Sequence, residues 1–202
     1  MRMPTMDTER LRIRPFRLDD LDDVHRVLDV ELADADVGTE GAMSREQRER
    51  WLNWTTMGYD ELARLNQPPY GERAIVQKDV NELIGVIGYV PCLDAFGQLA
   101  ALAPALAGPA QRLFTTEFGL YWAMSPAYQN RGFATEAARA LIDYAFSRLR
   151  VLRVVATTHY DNAASIGVMR KLGMLIERNP FPDPPWLQIV GVRENPEALS
   201  GS

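Results

Sequence analysis

Residues 129–134 form the stretch that decides the fold, and they read Gln129-Asn130-Arg131-Gly132-Phe133-Ala134. The stretch lies between an aromatic-rich segment that stops at Ser125-Pro126 and a long amphipathic segment. Gly132 and the small Ala134 permit a tight turn and a close approach of the backbone to a ligand. Amide groups at a helix start point outward and, together with the helix dipole, favour an anion such as a pyrophosphate. The pattern predicts an anion-binding loop at the start of a helix, with a positive charge added by Arg131. The alternative is a plain loop with a glycine at a helix entry.

Hydrophobic periodicity on both sides of this loop predicts strands and helices. Strands are expected at 11–14, 73–77, 83–89, 114–124, 151–158, 175–178 and 186–192. Helices are expected after Asp19, after the capping box at Ser44 with a break at Gly58, at 135–149, and at 162–172. The order of these elements predicts an α/β fold with a mixed sheet.

The composition limits the classes of function. The chain has 202 residues and a net charge of -5, which argues against a nucleic-acid partner and is compatible with a cationic substrate. The single cysteine, Cys92, excludes an internal disulfide and a multi-cysteine zinc site, and two distant histidines give no metal site. The absence of a signal peptide and of a long apolar span predicts a cytoplasmic protein outside the membrane.

The segment 91–111 is biased towards Ala, Leu, Pro and Gly, and it is expected to be a long loop insertion with room for one helical turn. Its apolar content indicates that it packs on its own domain or on a partner. A surface flap and a homodimer contact both remain open. We expect one domain at 1–195 and a C-terminal tail at 196–202.

Two motifs resemble those of the GNAT superfamily of N-acetyltransferases. Residues 117–122 and 129–137 resemble its central motif, whose pattern is Gln/Arg-x-x-Gly-x-Gly/Ala, and residues 162–174 are similar to its second signature. The opening at 8–15 is typical of a branch that resembles ribosomal-protein-alanine N-acetyltransferases. The resemblance spans nearly the whole chain. It implies a GNAT fold, with a mixed, mostly antiparallel central sheet flanked by helices.

The resemblance also implies acetyl-CoA as cosubstrate, with no metal. Backbone groups of Ala123 and Met124 would bind the pantetheine arm and place an N–H near the thioester oxygen. Asn162 would bind the cofactor near its pantetheine end, and Ser165 would lie close to the thioester sulfur. The diphosphate would be held by the loop residues Gln129, Asn130, Arg131, Gly132, Phe133, Ala134 and Thr135.

The chemistry that the resemblance implies is direct attack of a neutral amine on the thioester. Glu117 is the first candidate for the general base, acting directly or through a water, and its alternative role is that of a solvated or structurally paired strand glutamate. Many relatives carry a tyrosine as general acid where this chain has Met169, so Ser165 becomes the replacement candidate. Tyr160 and Tyr121 are reserve candidates.

The acceptor stays open between a protein N-terminus and a small-molecule amine. Trp51, Trp54, Tyr59 and Tyr70 lie in the region that forms the acceptor-side wall in relatives. A cleft narrowed by residues 91–111 and 180–185 would favour a small acceptor. The second hypothesis is a non-catalytic acyl-CoA-binding or regulatory module on the same fold. A third, an unrelated nucleotide-phosphate binder, lacks the Gly-Lys-Ser/Thr ending of a P-loop.

Overall fold

The computed structural model describes residues 1–35, 41–102 and 113–199. The chain divides into two compact units, Met1–Tyr89 with Tyr121–Leu141, and Val90–Leu120 with Ile142–Ser202. Two strands and one helix continue from one unit into the other, and each unit is described by itself below.

Eight strands form a mixed, mostly antiparallel sheet, which confirms the α/β fold class. In the first unit the strand order is β1-β2-β3-β4-β5, and in the second unit it is β4-β5-β6-β8-β7. The pair β5 and β6 is parallel, with Gly119 opposite Val155. The strands are β1 Met6–Asp7, β2 Leu11–Arg14, β3 Gly71–Gln77, β4 Glu82–Asp94, β5 Thr115–Met124, β6 Arg153–Thr158, β7 Leu175–Arg178 and β8 Ile189–Glu194.

Five α-helices accompany the sheet in the described part of the chain: α1 Leu21–His25, α2 Arg45–Arg64, α3 Phe133–Tyr144, α4 Ala163–Lys171 and α5 Pro196–Leu199. A π-helical turn, Arg26–Glu31, prolongs α1, and another, Ala145–Leu149, prolongs α3. Within the described ranges, no helix is both long enough and apolar enough to cross a membrane.

The core of the first unit includes the apolar face of α1 and of the π-helical turn that prolongs it. Leu21, Val24, Val27 and Leu28 are all buried, and they pack with Leu52 of α2 and with residues of β3 and β4. Ser44 accepts a hydrogen bond from the Gln47 amide and donates its own amide to the Gln47 side chain, so the capping box is confirmed. The same helix carries a buried ion pair, in which Arg48 donates to both carboxylate oxygens of Asp29 at 2.8 Å.

Several predicted boundaries were wrong. Helix α2 passes through Gly58 without a break, because the cost of about 1 kcal/mol for a glycine in a helix is small beside the packing of its buried face. Helix α3 begins at Phe133, two residues early, and β8 begins at Ile189, since a 3₁₀ turn at Pro185–Leu187 precedes it.

Strand β4 extends to Asp94, so the first residues of the 91–111 segment are strand and not loop. The pairing of β4 with β3 ends at Tyr89 opposite Gly71. Pro91 follows that last pair, and its missing N–H therefore removes no hydrogen bond from the β3–β4 ladder.

The next part of the segment, Ala95 to Leu102, packs on its own unit. A 3₁₀ turn, Phe96–Gln98, supplies the expected helical turn. Phe96 and Leu99 are buried in a cluster with residues of β6 and β8. Glu177 of β7 accepts hydrogen bonds from the amides of Ala100 and Ala101 at 2.6 and 2.9 Å. Residues 103–111 lie outside the described residues.

Alanine substitutions at two glycines, Gly119 and the control Gly58, test the close packing between β4 and β5. A Cβ at Gly119 would lie 2.3 Å from the Cys92 Sγ and 2.8 Å from the Val90 carbonyl oxygen, whereas nothing lies within 4 Å of a Cβ at Gly58. Gly119→Ala is expected to lower the free energy of unfolding by about 1–3 kcal/mol through overpacking. The control Gly58→Ala should raise it by roughly 0.5–1 kcal/mol, since alanine is the better helix former. Urea denaturation measures both, and equal effects would contradict the packing argument.

Candidate functional site

The loop before α3 adopts the backbone that its sequence predicts. Asn130 and Gly132 have left-handed φ angles of 59° and 83°. The Glu136 amide donates to the Gly132 carbonyl at 3.0 Å, which makes Gly132 the first carbonyl of the helical ladder. The amides of 133–135 therefore precede the ladder and remain at the helix start. The geometry is that of a helix-start anion site.

The side chain of Gln129 ties this loop to the end of β5. Its Nε2 donates to the Met124 carbonyl at 3.0 Å. The main-chain oxygen of Ala123 and the Sδ of Met124 lie 2.6 Å from the position of a Cβ at Gly85, so β4 and β5 are in close contact here. Ala123 and Met124 are both buried. The Gln129 side chain therefore holds the loop against the last residue of β5.

The loop also contacts residues that carry no predicted role. Glu136, in the first turn of α3, accepts from the Thr8 hydroxyl at 2.6 Å, the Arg10 amide at 2.9 Å and the Arg10 Nε at 2.7 Å. Arg10 also donates through Nη1 to the Arg131 carbonyl at 3.0 Å. One signal in the sequence could have indicated this contact: residues 8–15 and Glu136 both lie in segments that resemble motifs of the GNAT superfamily.

The charges of this cluster are balanced by direct contacts. Burial would raise the pKa of Glu136, but the hydrogen bonds from Thr8 and Arg10 outweigh it, and the pKa is lowered. The Arg131 guanidinium lies 5.4 Å from the Tyr128 ring centre and 5.2 Å from that of Phe133. Such cation–π contacts hold an arginine without using its hydrogen-bond donors. The loop thus presents positive charge beside the helix-start amides.

In the second unit, Glu117 is half of a buried ion pair. It is 8% exposed, and Arg153 donates to its two carboxylate oxygens at 2.8 and 2.6 Å. The hydrogen bond to Glu117 raises the pKa of Arg153 against the effect of desolvation. Both oxygens thus have a partner, and a base at this position would use a remaining lone pair. The structure shows the paired geometry, and the role as base stays a prediction.

Asn162 and Ser165 are brought together at the start of α4. The Asn162 side-chain oxygen caps the helix by accepting from the Ser165 amide at 3.0 Å. The Nδ2 group of Asn162 remains as a donor, and the half-buried Ser165 hydroxyl lies one turn into the helix. Their roles towards a ligand stay predictions.

The position of the expected tyrosine is part of the core. Met169 is fully buried, and its Sδ lies 3.0 Å from where a Cβ at Gly191 would stand. A bulky hydrophobic side chain fills this space between α4 and β8.

The reserve candidate Tyr160 donates its hydroxyl to the Asn179 carbonyl at 2.5 Å, which restrains the turn after β7. Tyr121 packs against the core of the first unit.

The four aromatic residues expected in an acceptor wall differ in their surroundings. Trp51 packs edge-on against Phe16 with ring centres 5.5 Å apart. The Tyr59 hydroxyl accepts from the Phe16 amide and donates to the Glu72 carbonyl, and burial raises its pKa to about 12. These contacts give both residues a structural role, and their place in an acceptor wall stays a prediction. Trp54 is 67% exposed, and Tyr70 is half-buried.

Cys92 does not carry the features of a nucleophile. Burial, with smaller contributions from Asp94 and Glu117, raises its pKa to about 11. Reactive cysteines require the opposite shift. Among the described residues, no group of three or more His, Cys, Asp or Glu side chains is arranged to hold a metal ion.

Comparison with known proteins gives a family match. The acetyltransferase (GNAT) domain family matches residues 10–175. A segment of 60 residues, 30% of this chain, is 43% identical to the N-acetyltransferase YnaD of Bacillus subtilis. That segment covers 34% of the length of YnaD, so the chain matches about a third of this relative.

Solved structures share the fold over nearly the whole chain. The ribosomal-protein-S5-alanine acetyltransferase of Vibrio fischeri is 16% identical with a TM-score of 0.65, covering 96% of this chain and 97% of that one. RimL, a ribosomal L7/L12 α-N-protein acetyltransferase solved in complex with coenzyme A, is 14% identical with a TM-score of 0.62, covering 93% and 95%. At these identities the likeness shows the fold alone.

The surroundings of Cys92 predict slow thiol chemistry. With a pKa of about 11, the thiolate is on the order of 0.1% of the thiol at pH 8, against roughly a quarter for a free cysteine. Reaction with a disulfide reagent at pH 8 is expected to be at least tenfold slower in the native protein than in urea-unfolded protein. Equal rates would contradict a raised pKa.

Proposed function

Because the chain belongs to the GNAT acetyltransferase family, we propose that it is an acetyl-CoA-dependent N-acetyltransferase that acetylates a primary amine. The observation that carries the proposal is the loop at 129–135. Its left-handed Gly132, its helix-start amides and its two neighbouring arginines, Arg10 and Arg131, form a site for a diphosphate.

The residues present fit acetyl-CoA as a cosubstrate. In the first unit, the amides of 130–135 would hold the diphosphate, and backbone groups of Ala123 and Met124 would bind the pantetheine arm. A side chain at position 132 would extend towards Arg10, whose Nη2 lies 3.4 Å from the Cβ position, and glycine keeps this space open. In the second unit, Asn162 would contribute its Nδ2 donor to the pantetheine end.

The proposed reaction is direct acyl transfer. The neutral amine attacks the thioester carbonyl, a C–N bond forms, the C–S bond breaks and CoA leaves as a thiolate. The ammonium proton passes to Glu117, directly or through a water, and Ser165 orients the leaving sulfur. An acyl-cysteine intermediate is disfavoured, because the raised pKa of Cys92 leaves little thiolate for attack.

The same proposal covers the acceptor, the cellular location and the partners of the protein. We take the acceptor to be a protein N-terminus or a small-molecule amine, and the net charge of -5 suits a cationic partner. We place the protein in the cytoplasm, with no nucleic-acid or membrane partner and no metal. The homodimer contact and the surface flap, both left open for the 91–111 segment, concern residues that lie in part outside the described ranges.

The direct test is release of free thiol from acetyl-CoA in the presence of amines. The panel contains peptides with a free or an acetylated α-amine, polyamines, amino acids and amino sugars. We expect at least one amine to accelerate thiol release over the protein-free rate, and the acetylated peptide to give none. Saturable CoA binding in calorimetry without thiol release across the panel would favour the non-catalytic acyl-CoA module. The absence of both binding and release would overturn the proposal.

The role of Glu117 is separable from its ion pair by two matched substitutions. Glu117→Gln removes the base and the ion pair, whereas Arg153→Met removes the ion pair and keeps the carboxylate. We expect Glu117→Gln to lower kcat by about 10²-fold or more, the usual range for loss of a general base, with CoA affinity within twofold. Arg153→Met should lower kcat much less. Equal losses of kcat in both variants would assign Glu117 to structure, and unchanged turnover in Glu117→Gln would remove it as the base.

A further inference from the structure

Two sequence motifs that lie 126 residues apart meet at one carboxylate. Glu136 accepts three hydrogen bonds, one from the Thr8 hydroxyl and two from Arg10, and all three are 2.9 Å or shorter. Its side chain is 18% exposed, so this is one of the better shielded ion pairs of the first unit. Such a contact holds the turn before β2 against the start of α3.

A carboxylate at this place opposes the proposed ligand. Glu136 lies in the first turn of α3, where the helix dipole and the helix-start amides attract an anion. An unpaired glutamate there would repel a diphosphate through its own negative charge. Pairing with Arg10 removes this repulsion and leaves the arginine at the loop.

The arginine is oriented by contacts on three sides. Its Nε donates to Glu136, its Nη1 donates to the Arg131 carbonyl at 3.0 Å, and its guanidinium lies 4.4 Å from the Phe133 ring centre. The Nη2 lies beside Gly132, 3.4 Å from the position of an added Cβ. The Arg10 side chain is 40% exposed, so it is accessible from solvent.

We propose that Arg10 binds the diphosphate of CoA and that Glu136 and Thr8 are positioning residues that hold its guanidinium at the loop. This rests on the proposed function, since it assigns a phosphate contact within the proposed acetyl-CoA site. A planar guanidinium suits this role because its N–H groups donate in several fixed directions. Arg10 can therefore bind the Glu136 carboxylate, the Arg131 carbonyl and a phosphate oxygen at the same time.

The chain offers a matched control two residues further on, in β2. Arg12 is likewise an exposed arginine in an ion pair, 3.0 Å from Asp7, and its side chain is 50% exposed. Arg10→Met and Arg12→Met therefore remove the same charge and keep a similar hydrophobic stem. Calorimetric titration with CoA alone requires no acceptor and no turnover.

We expect Arg10→Met to weaken CoA binding by about tenfold or more, the loss typical of one charge-assisted hydrogen bond. Arg12→Met should stay within twofold of the unsubstituted chain. The same titrations with pantetheine, which lacks the diphosphate, should show no difference between the two variants. An Arg10→Met variant that binds CoA as well as Arg12→Met does would overturn the proposal.

The variant Glu136→Gln distinguishes a positioning role of Glu136 from a purely structural contact between the turn before β2 and α3. That variant keeps an acceptor for Thr8 and for the Arg10 amide but loses the charge that orients the guanidinium. We expect it to weaken CoA binding less than Arg10→Met does, and to have no further effect in the Arg10→Met background. Equal losses of CoA affinity in Arg10→Met and Glu136→Gln would show that Arg10 acts only as a structural contact. Tighter CoA binding by Glu136→Gln would exclude a positioning role for Glu136.

The outcomes separate this inference from the proposed function. An unsubstituted chain that does not bind CoA contradicts the proposed function itself. A chain that binds CoA, with no difference between Arg10→Met and Arg12→Met, contradicts the inference alone. Thermal unfolding of each variant without ligand identifies a loss of binding that arises from a loss of the fold.

Discussion

The left-handed backbone at Gly132 is the constraint on which the candidate site depends. Its φ of 83° lets the chain turn from the end of β5 into α3 within a few residues. The turn leaves the amides of 133–135 ahead of the helical ladder, and it places the Arg131 carbonyl within reach of Arg10. A β-branched residue at this position would strain the backbone and fill the space beside the arginine. The helix-start site, the arginine contact and the Glu136 tie therefore all depend on the same residue.

Paired charges do more to fix positions than to add stability. Arg48 with Asp29, Arg14 with Asp20 and Glu117 with Arg153 all have at least one side chain that is 7% exposed or less. A buried pair contributes little net stability, but removing one partner costs about 3–5 kcal/mol because the other is left uncompensated. Such pairs penalise every arrangement in which the partners are apart. In this chain they fix α1 against α2, and β5 beside β6, at the point where Glu117 lies.

Features that depend on neighbouring residues were predictable from the sequence. The capping box at Ser44 and the helix start at 129–135 are formed by hydrogen bonds across three or four positions, so the pattern carries the contact. The confirmed strands at 11–14 and 175–178 follow from alternation and turn residues in the same way.

Features that depend on distant residues were not predictable from the sequence. Periodicity tells which face of β5 is buried, but it does not name Arg153 as the partner of Glu117, 36 residues away. The same holds for Arg10 and Glu136, and for β4, whose strand continues past Pro91 although its pairing with β3 has ended. In each case the missing information is which element lies alongside, and this is decided by packing of the whole unit.

The replacement of the usual tyrosine by Met169 bears on the acceptor. An alkyl thiol is far more acidic than an alcohol, so CoA leaves as a thiolate with less need of a general acid than an alkoxide has. At pH 7, deprotonation of a lysine-like amine with a pKa near 10.4 costs about 4.6 kcal/mol, whereas an α-amine with a pKa near 8 costs only about 1.4 kcal/mol. The carboxylate of Glu117 is engaged by Arg153 through both oxygens, so a base at this position acts through a remaining lone pair. On the proposed function, an acceptor whose amine has a pKa near 8 would place a smaller demand on Glu117 than a lysine-like amine does, so the choice of acceptor and the strength of the base belong to one and the same proposal.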